Sequence, residues 1–532
     1  MTVNQNNNQN SAQQRAELHK TIWQIANDLR GSVDGWDFKQ YVLGILFYRF
    51  ISENMTKYIN DEEHKANSNT NTHSDFDYII LSDEDAEDGR SETVNEKGFY
   101  ILPSELFCNV VKLAKTDPDL NQTLSKIFKN IEASAKGTDS EDDINGLFND
   151  LDVNSDKLGA SVDKRNQNLV KILEAINSLD FGGSYNDNSI DAFGDAYEYL
   201  MAMYASNAGK SGGEYYTPQE VSELLARLTT VGKTQVNRVY DPCCGSGSLL
   251  LKFAKVLGRD NIRSFYGQEI NLTTYNLCRI NMFLHDINFN KFNISHGDTL
   301  TDPVHIDDQP FDAIVSNPPY SIRWAGDSDP LLINDPRYSP AGVLAPKSKA
   351  DLAFTLHMLK WLSQDGTAAI VEFPGVMYRS GAEQKIRKYM VDNNYVDALI
   401  QLPSDLFFGT TIATCILVLK KNKKDSNVVF IDASKEMVRS GNKNKLSDGN
   451  IAKIMESYKA RQDQDYFLKV VDNKAVGDNE YNLSVSSYVV QEDTREVIDI
   501  DELNKKIADI VTRQSQLRTS IDAIVADIEL GK

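Results

Sequence analysis

The sequence predicts an α/β protein whose main domain is Rossmann-like, with a mainly parallel sheet and helices on both faces. From about 183 to 475, short apolar runs alternate with helical patterns, as crossover connections require. A strand, a glycine-rich turn and a helix follow one another at 239–253, which lets a ligand approach bare backbone in doubly wound folds. Helical spacing dominates both ends of the chain. We therefore expect a helical N-terminal domain before the sheet and a C-terminal helical tail after it.

The N-terminal region is predicted to form a helical domain over residues 16–180. Residues 1–15 are polar and are expected to be disordered, whereas apolar residues at helix spacing run from Leu18 to Phe50. An acidic stretch at 61–96 contains 12 acidic residues against 2 basic ones, a net charge of −10. Because it is also rich in small polar residues, we expect a solvated loop there.

Three strands of the main domain, predicted over 183–475, end in acidic side chains: Asp241, Glu269 and Asp298. The first is followed by a turn with Gly245 and Gly247, but a leucine stands where a dinucleotide-binding turn has its third glycine. That difference argues against a nicotinamide or flavin site. A carboxylate ending the second strand suits two ribose hydroxyls, and one after the third could accept from an adenine amino group. The alternative is that each side chain caps a helix in an ordinary turn.

The apolar run FDAIVS ends in Asn317, Pro318, Pro319 and Tyr320. The Asn317 side-chain oxygen and the Pro318 carbonyl could accept both hydrogens of a planar amino group and return its lone pair to nitrogen, ready for methylation. Tyr320 would stack on the ring, and the prolines would stiffen the loop because they fix φ and lack an N–H. The alternative is a turn that only ends a strand, since Asn and Pro are common turn residues.

Composition narrows the class of protein. The 532 residues are 41% hydrophobic and 25% charged, as in globular proteins of two or three domains. No apolar run is long enough for a membrane span and the polar start lacks a signal-peptide core. Five cysteines without C-x-x-C spacing and seven scattered histidines predict a reducing, cytoplasmic setting and no metal site. A net charge of −21 disfavours unaided binding to DNA, although acidity can also serve solubility alone.

The C-terminal extension, 476–532, is predicted to contain a helix at 499–530. Its seam has heptad spacing and consists of Leu503, Ile507, Ile510, Gln514, Leu517, Ile521, Ile524 and Ile528. A lone helix would leave this seam in water, so we expect it to dock on helices of another protein. The alternative is contact with the chain's own domain.

Together these motifs resemble those of S-adenosylmethionine-dependent adenine-N6 DNA methyltransferases. More narrowly, the chain is similar to the modification subunit, HsdM, of type I restriction–modification systems. The resemblance rests on GGEYYTPQEV at 212–221, DPCCGSGSLL at 241–250, NPPY at 317–320 and LFFGTTIATCILVLKK at 406–421, in the order that these subunits use. It covers nearly the whole chain. One departure is Cys243-Cys244, where small residues such as alanine are more usual.

The resemblance implies an adenine-specific methyltransferase with S-adenosylmethionine as its cofactor and no metal. Glu269 is then expected to bind the ribose hydroxyls, and Asp298 the adenine amino group, of the cofactor. The remaining expected cofactor-binding residues are Glu214, Tyr215, Tyr216, Thr217, Pro218, Gln219, Asp241, Gly245, Ser246, Gly247, Ser248 and Leu300. The target adenine would leave the stack of double-stranded DNA. Tyr320 would hold it on one face, and Phe407 or Phe408 on the other.

The resemblance also implies partners. A specificity subunit, bound through the C-terminal helix, would supply sequence recognition, and a restriction and translocase subunit would complete the larger complex. Two rival functions stay open at this point. One is a protein-glutamine or RNA N-methyltransferase that uses the same Asn-Pro-Pro-Tyr chemistry. The other is a non-enzymatic scaffold that retains only the fold.

Overall fold

The computed structural model describes residues 18–23, 38–70, 76–179, 194, 196–201, 217–407, 410–441, 443–491 and 500–531. The residues predicted to be disordered, 1–15, lie outside these ranges. The chain divides into two compact units, Met1–Val489 and Val490–Lys532. The predicted fold class is confirmed, because a mostly parallel sheet follows a helical region and a long helix ends the chain.

The N-terminal region is helical. Besides a helical stretch at 18–23, its described part contains α1 (Phe38–Thr70), α2 (Asp83–Ala86), α3 (Arg90–Lys97), α4 (Phe107–Leu113), α5 (Leu120–Ser134), α6 (Glu141–Ile144) and α7 (Val162–Asn177). Aromatic rings hold them together: Phe128 stacks on Phe148 with centroids 4.5 Å apart, and Phe47 of α1 lies 5.6 Å from Phe148. The aromatic side chains of α1 therefore belong to the core.

The prediction of a loop at 61–96 is wrong. Helix α1 continues to Thr70, and α2 and α3 occupy much of the second half of this stretch. Ser82 caps α2 by accepting from the backbone N–H of Asp85, and acidic residues in a first helical turn interact favourably with the helix dipole. Ala86 and Val94 are buried while most of the acidic side chains face solvent. Short helices can bury these few apolar side chains and still expose the acidic ones. The high polarity of the segment alone does not show this.

The main domain is built on a nine-stranded sheet. Its strands are β1 (Val236–Asp241), β2 (Ile262–Glu269), β3 (Phe292–His296), β4 (Phe311–Ser316), β5 (Leu362–Glu372), β6 (Val396–Gln401), β7 (Cys415–Lys420) and β8 (Asn427–Asp432); β9 (Val438–Ser440) and β10 (Lys443–Lys445) form a separate hairpin, and β11 (Leu468–Asp472) completes the sheet. The order across it is β11-β8-β6-β7-β5-β4-β1-β2-β3. Strand β7 is antiparallel to β5 and β6, and β11 to β8, whereas the other pairs are parallel.

Helices cover both faces of this sheet. They are α8 (Gln219–Thr229), α9 (Ser248–Leu257), α10 (Leu272–Leu284), α11 (Asp351–Trp361), α12 (Ala382–Asp392), α13 (Asp448–Ala460) and α14 (Asn473–Asp478). Successive residues of β4 belong to different core clusters, with Ala313 and Val315 in one and Ile314 in the other. Strands buried on both faces read as continuous apolar runs, and β7 does so from Cys415 to Leu419.

The strand order reverses between β1 and β4. From β1 the chain proceeds through β2 to β3 at one edge, and then returns to β4 on the other side of β1. In open α/β sheets, ligands bind outside the carboxyl ends of the strands at such a point. The fold thereby brings the end of β1 beside the end of β4.

The C-terminal extension begins later than the predicted residue 476. Helix α14 carries the buried Val476, and Leu483, Val485 and Val489 are also buried. Because these apolar side chains are buried, residues 476–489 belong to the first unit. The sequence of this segment is typical of a loop and does not predict this burial. In the second unit, α15 (Ile500–Glu529) matches the predicted helix to within one residue at each end, and none of its residues is buried. None of the described helices combines the length and apolar character needed to cross a membrane.

Candidate active site

Asp241 joins the ends of β1 and β4. Its Oδ1 accepts from the N–H of Cys243 at 3.0 Å and from the hydroxyl of Ser316, the last residue of β4, at 2.8 Å. The side chain is buried, and Oδ2 has no partner among the described residues. Burial raises the pKa of Asp241 to about 7. A buried carboxylate oxygen without a partner favours a ligand that donates hydrogen bonds or carries positive charge.

The turn after Asp241 needs its glycines. Gly245 has φ +54° and Gly247 has φ +83°, in the left-handed region that favours glycine. A Cβ on Gly247 would lie 2.8 Å from Sγ of Cys278 on α10. Helix α9 then begins at Ser248 and leaves its first backbone N–H groups without helical partners. The turn thus offers close approach to backbone donors, as the sequence predicts.

The start of α8 reaches the same edge of the sheet. Thr217 is buried, and its Oγ1 accepts from Nδ2 of Asn317 at 3.1 Å. Pro218 precedes the helix as its N-cap residue. Both polar side-chain atoms of Gln219 are buried without a partner in the described part of the chain, so this amide retains a donor and an acceptor for a ligand. Glu214, Tyr215 and Tyr216 lie outside the described residues.

Glu269, at the end of β2, is fastened to the glycine turn. Its Oε2 accepts from the N–H of Gly245 at 3.1 Å, and its Oε1 accepts from the N–H of Asn271 at 2.9 Å. Burial raises the pKa of this carboxyl, and the backbone donors oppose that rise. Each carboxylate oxygen can accept a second hydrogen bond. The strand end is therefore placed and oriented to receive hydroxyl donors.

Asp298 makes the local contacts expected of a carboxylate in an ordinary turn, which was the alternative to a role in binding a ligand. Its Oδ1 accepts from the N–H of Leu300 at 3.0 Å, and its Oδ2 accepts from the hydroxyl of Thr301 at 2.9 Å. An adenine amino group would have to use a remaining lone pair. Leu300 is buried, which agrees with a position behind the loop. The role of Asp298 toward a ligand stays a prediction.

Arg337 was missed by the sequence analysis. Its guanidinium donates to the carbonyls of Thr299 and Leu300 at 2.7 and 2.8 Å and forms an ion pair with Asp335 at 2.8 Å. These contacts hold the loop after β3, which contains Asp298. Nothing in the spacing of the surrounding segment singles out this arginine, because its partners are backbone carbonyls far away in sequence.

Asn317 and Tyr320 contact each other at the end of β4. The Tyr320 hydroxyl donates to Oδ1 of Asn317 at 2.6 Å, while the Asn317 amide nitrogen donates to Thr217. The side chain of Asn317 is thus oriented at both ends, and it links the start of α8 to the tyrosine. Pro318 is buried and Pro319 is partly exposed. The two prolines lie between Asn317 and Tyr320 and stiffen the loop, because each fixes φ.

Two buried acids, Asp351 and Glu372, lie near Tyr320, and both were missed. Ser321 has φ +52°, and its N–H donates to Oδ1 of Asp351 at 3.0 Å. Burial and the neighbouring Asp351 raise the pKa of Glu372 to about 8. Glu372 could have been found from sequence, because it ends the apolar run TAAIVE as Glu269 ends its own strand. Asp351 could not, because it begins a helix as many acidic residues do.

The predicted aromatic wall is not formed by Phe407 in this structure. Its side chain is 1% exposed and belongs to the main core cluster, so it has no open face for a base. The sequence could not separate the two neighbouring phenylalanines, since either fits an apolar loop. Phe408 lies outside the described residues and stays a prediction.

Comparison with known proteins gives this site a family. Residues 188–497 match the model of the N-6 DNA methylase family, and residues 18–176 match that of the HsdM N-terminal domain. The chain is 50% identical to the type I restriction enzyme MpnII methylase subunit of Mycoplasma pneumoniae, over 97% of each chain. It is 28% identical to the MjaVII methylase subunit of Methanocaldococcus jannaschii, over 96% of this chain and 84% of that one.

A solved structure agrees. The type I restriction–modification methyltransferase subunit of Streptococcus thermophilus is 34% identical, with a TM-score of 0.80 over 89% of this chain and 99% of that one. A further structure, from a study of type I complex assembly, shares the fold at 17% identity and a TM-score of 0.62. The match along most of the chain, together with the Asn-Pro-Pro-Tyr strand end beside a glycine turn, shows that this protein belongs to the N-6 DNA methylase family, as a methylase subunit of the type I restriction–modification kind.

Proposed function

We propose that this chain transfers the methyl group of S-adenosylmethionine to N6 of an adenine in a specific DNA site, with sequence recognition supplied by a specificity subunit. One observation carries the proposal. Asn317 and Tyr320 stand at the end of β4, directly beside the buried Asp241 and beside Gln219, whose amide has no partner among the described residues. An amino-group site and an acceptor-rich cleft for a cationic ligand therefore meet at the switch point of the sheet.

The catalytic residues would act by holding and polarising the amino group. Asn317 Oδ1 and the Pro318 carbonyl would accept its two hydrogens and localise the lone pair on nitrogen. In the described state the Tyr320 hydroxyl occupies Oδ1 of Asn317. The amino group of the arriving adenine would replace the Tyr320 hydroxyl as the donor to that oxygen. The Tyr320 ring would then stack on the adenine. The main rate gain would come from alignment for in-line attack, and no metal is invoked.

The described residues fit S-adenosylmethionine. When bound, this cofactor supplies a methyl group on a positively charged sulfur. Asp241 and Glu269 would accept from its ammonium group and its ribose hydroxyls, and Gln219 at the start of α8 would donate to its carboxylate. The glycine turn would lie against the methionine part. A cleft with acidic strand ends suits this net cation better than a pyrophosphate-bearing dinucleotide.

Glu269→Ala is expected to weaken S-adenosylmethionine binding by about 1.5–3 kcal/mol, because a charged acceptor of buried hydroxyl contacts is lost. Isothermal titration calorimetry on the purified chain measures the change. Glu456→Ala, an exposed glutamate on α13, is the matched control and should bind normally. Since Glu269 also fastens the glycine turn, thermal unfolding of the variant should accompany the titration. Unchanged affinity in a folded variant would show that the end of β2 does not hold the cofactor.

Cofactor binding is expected to depend on pH through Asp241. Its pKa of about 7 means that the free protein carries a largely neutral carboxyl below that pH. The cationic cofactor favours the ionised form, so binding releases a proton, and affinity should rise by up to about tenfold per pH unit until pH 7 and then level off. Calorimetry in two buffers with different ionisation enthalpies measures the proton release. Asp241→Asn should remove the pH dependence, and a flat profile in the unaltered protein would contradict this role.

The proposal extends to partners. The seam of α15 leaves apolar side chains exposed, with Leu503 at 46% and Ile528 at 69%. We propose that this seam docks on helices of the specificity subunit, and that a restriction and translocase subunit joins the resulting complex. The substrate would be double-stranded DNA from which the adenine is flipped, with Phe408 as the candidate second wall. Such a protein would act on DNA in the cytoplasm. The five free cysteines agree with this, because the cytosol is reducing and keeps thiols reduced.

A transfer assay tests this function against its rivals. The chain and its specificity subunit, co-expressed from neighbouring genes, are incubated with methyl-labelled S-adenosylmethionine and with DNA, RNA or protein in parallel. N6-methyladenine in the DNA digest is the expected product. Label in glutamine or in RNA alone would favour the rival methyltransferase functions, which the match to the N-6 DNA methylase family does not favour.

A further inference from the structure

Positive charge gathers at the catalytic edge of this acidic chain. The net charge is −21, yet two groups of basic side chains lie beside the elements that form the candidate active site. The first group is Arg323, Lys347 and Lys349. The second group, on and beside the hairpin of β9 and β10, is Lys435, Arg439 and Lys445.

The first group directly follows the Asn-Pro-Pro-Tyr loop. Arg323 comes three residues after Tyr320, and three residues of extended chain span at most about 11 Å. Two backbone hydrogen bonds join its segment to that of the lysines, from Trp324 N–H to the Lys347 carbonyl at 3.1 Å and from Ala350 N–H to the Ile322 carbonyl at 3.0 Å. The three basic side chains therefore belong to one local surface.

The charges of the first group are available to a ligand. Arg323 and Lys347 are exposed and Lys349 is partly exposed. Within the ranges that the structure describes, these three side chains enter none of the ion pairs. The nearby indole of Trp324 is buried and donates to the Pro346 carbonyl at 3.2 Å, which anchors the surface to the core.

The second group is fastened to the loop that was predicted to supply the aromatic wall. Lys443 of β10 donates through Nζ to the carbonyls of Phe407 and Thr410 at 2.9 and 3.1 Å. Asn444 donates from its backbone to the Asp405 carbonyl at 3.1 Å and from its side chain to the Ser404 carbonyl at 2.8 Å. The hairpin is therefore fastened to Ser404, Asp405, Phe407 and Thr410.

This hairpin lies at the same edge of the sheet as the end of β4. Strand β8, which leads into it, is parallel to β6, and β7 is antiparallel to both β5 and β6. Strands β5, β6 and β8 therefore run in the direction of β4, which pairs in parallel with β5. Their carboxyl ends all lie at the edge of the sheet that holds the candidate active site.

The hairpin carries an excess of positive charge. Residues 435–445 contain four basic residues and one acidic residue, a net charge of +3. The acidic one, Glu436, is already paired with Lys453. Asp405 lies 4.0 Å from both Arg439 and Lys443. Lys435, Arg439 and Lys445 are exposed, and so are the apolar Met437 and Val438 between them.

Exposed cations next to a base-binding pocket match the chemistry of a nucleic-acid backbone. Duplex DNA carries about one negative charge per 1.7 Å of axis, which an acidic surface repels. We infer that the two basic groups bind the phosphates on either side of the flipped adenine, the first group beside Tyr320 and the second beside Ser404, Asp405 and Phe407. This inference rests on the proposed function and names the part of the chain that contacts its DNA.

Two triple variants test it in the complete complex with the specificity subunit. They are Arg323→Gln with Lys347→Gln and Lys349→Gln, and Lys435→Gln with Arg439→Gln and Lys445→Gln. The control triple, Lys255→Gln with Arg263→Gln and Lys424→Gln, removes the same charge from exposed positions at the opposite edge of the sheet. DNA affinity is measured by fluorescence anisotropy over a series of salt concentrations, and cofactor binding by calorimetry.

Each test triple should weaken DNA binding by about 10–100-fold at physiological salt. It should also lower the slope of log affinity against log salt by about 2–3, since each lost phosphate contact accounts for about 0.9. Cofactor affinity and assembly should match those of the control triple. A slope equal to that of the control overturns the inference, and so does failure of a test triple to assemble with the specificity subunit, which would mark a protein interface. If the unaltered complex forms no methyladenine, the proposed function itself fails, whatever the slopes show.

Discussion

Asn317→Ala is expected to lower methyl transfer by about 10²–10³-fold, the typical loss when one charge-stabilising contact in a transition state is removed. The variant loses the oxygen proposed to localise the lone pair of the amino group. S-adenosylmethionine binding should change little, because the contacts assigned to the cofactor lie on Gln219, Asp241 and Glu269. Single-turnover methylation by the assembled complex, together with calorimetry, separates the two effects.

Two further variants sharpen this prediction. Asn290→Ala, an exposed asparagine, controls for substitution as such and should be fully active. Tyr320→Phe removes the hydroxyl that occupies Oδ1 of Asn317 but keeps the ring, so it should retain far more activity than Asn317→Ala. Near-normal turnover in Asn317→Ala, or a loss in Tyr320→Phe as large as that of Asn317→Ala, would contradict the proposed roles.

Truncation before Asp499 is expected to abolish assembly with the specificity subunit and leave a folded, cofactor-binding chain. Seven of the eight seam positions of α15 are apolar and exposed. Burying each apolar side chain stabilises by about 1.5–3 kcal/mol, so the seam can support a firm interface after the costs of ordering and association. Co-purification with a tagged specificity subunit measures the loss.

Point variants locate the interface on the seam. Leu517→Asp places a charge at its centre and should prevent co-purification, whereas Gln516→Asp, one residue away and off the seam, should not. Thermal unfolding of the truncated chain tests the alternative, that α15 packs against the chain's own domain. If the isolated protein loses much of its stability without α15, the helix belongs to the chain's own core and the docking proposal fails.

The strand ends of the site were predictable because they combine two independent patterns. Asp241 and Glu269 are the last residues of β1 and β2, and Asn317 directly follows β4. Polar side chains in these positions mark both the end of a strand and the edge of the sheet. Glu372 shows the same signal. Alternation of strands and helices was enough for the fold class, since a parallel sheet requires crossovers. In these cases, the order of residues along the chain was enough to predict which side chains meet at one edge of the sheet.

Other features depend on contacts that local pattern does not contain. Phe407 and Phe408 are chemically equal in sequence, and only the loop conformation shows that Phe407 is buried. Arg337 acts through backbone carbonyls of a distant loop. The acidic stretch at 61–96 looked like a loop because its few buried side chains are spread over short helices. The basic groups at the catalytic edge do not stand out in a strongly acidic composition, because the fold decides which edge of the sheet each of them occupies.

One measurement tests the central claim most directly. The chain is co-expressed with the genes that flank its own in a host without adenine methylation, and the host DNA is sequenced for modified bases. We predict N6-methyladenine at a single recurring sequence, present with the unaltered chain and lost with Asn317→Ala. Methylation-free DNA from cells that contain the assembled, cofactor-binding complex would contradict the claim that this chain is the methyl-transferring subunit.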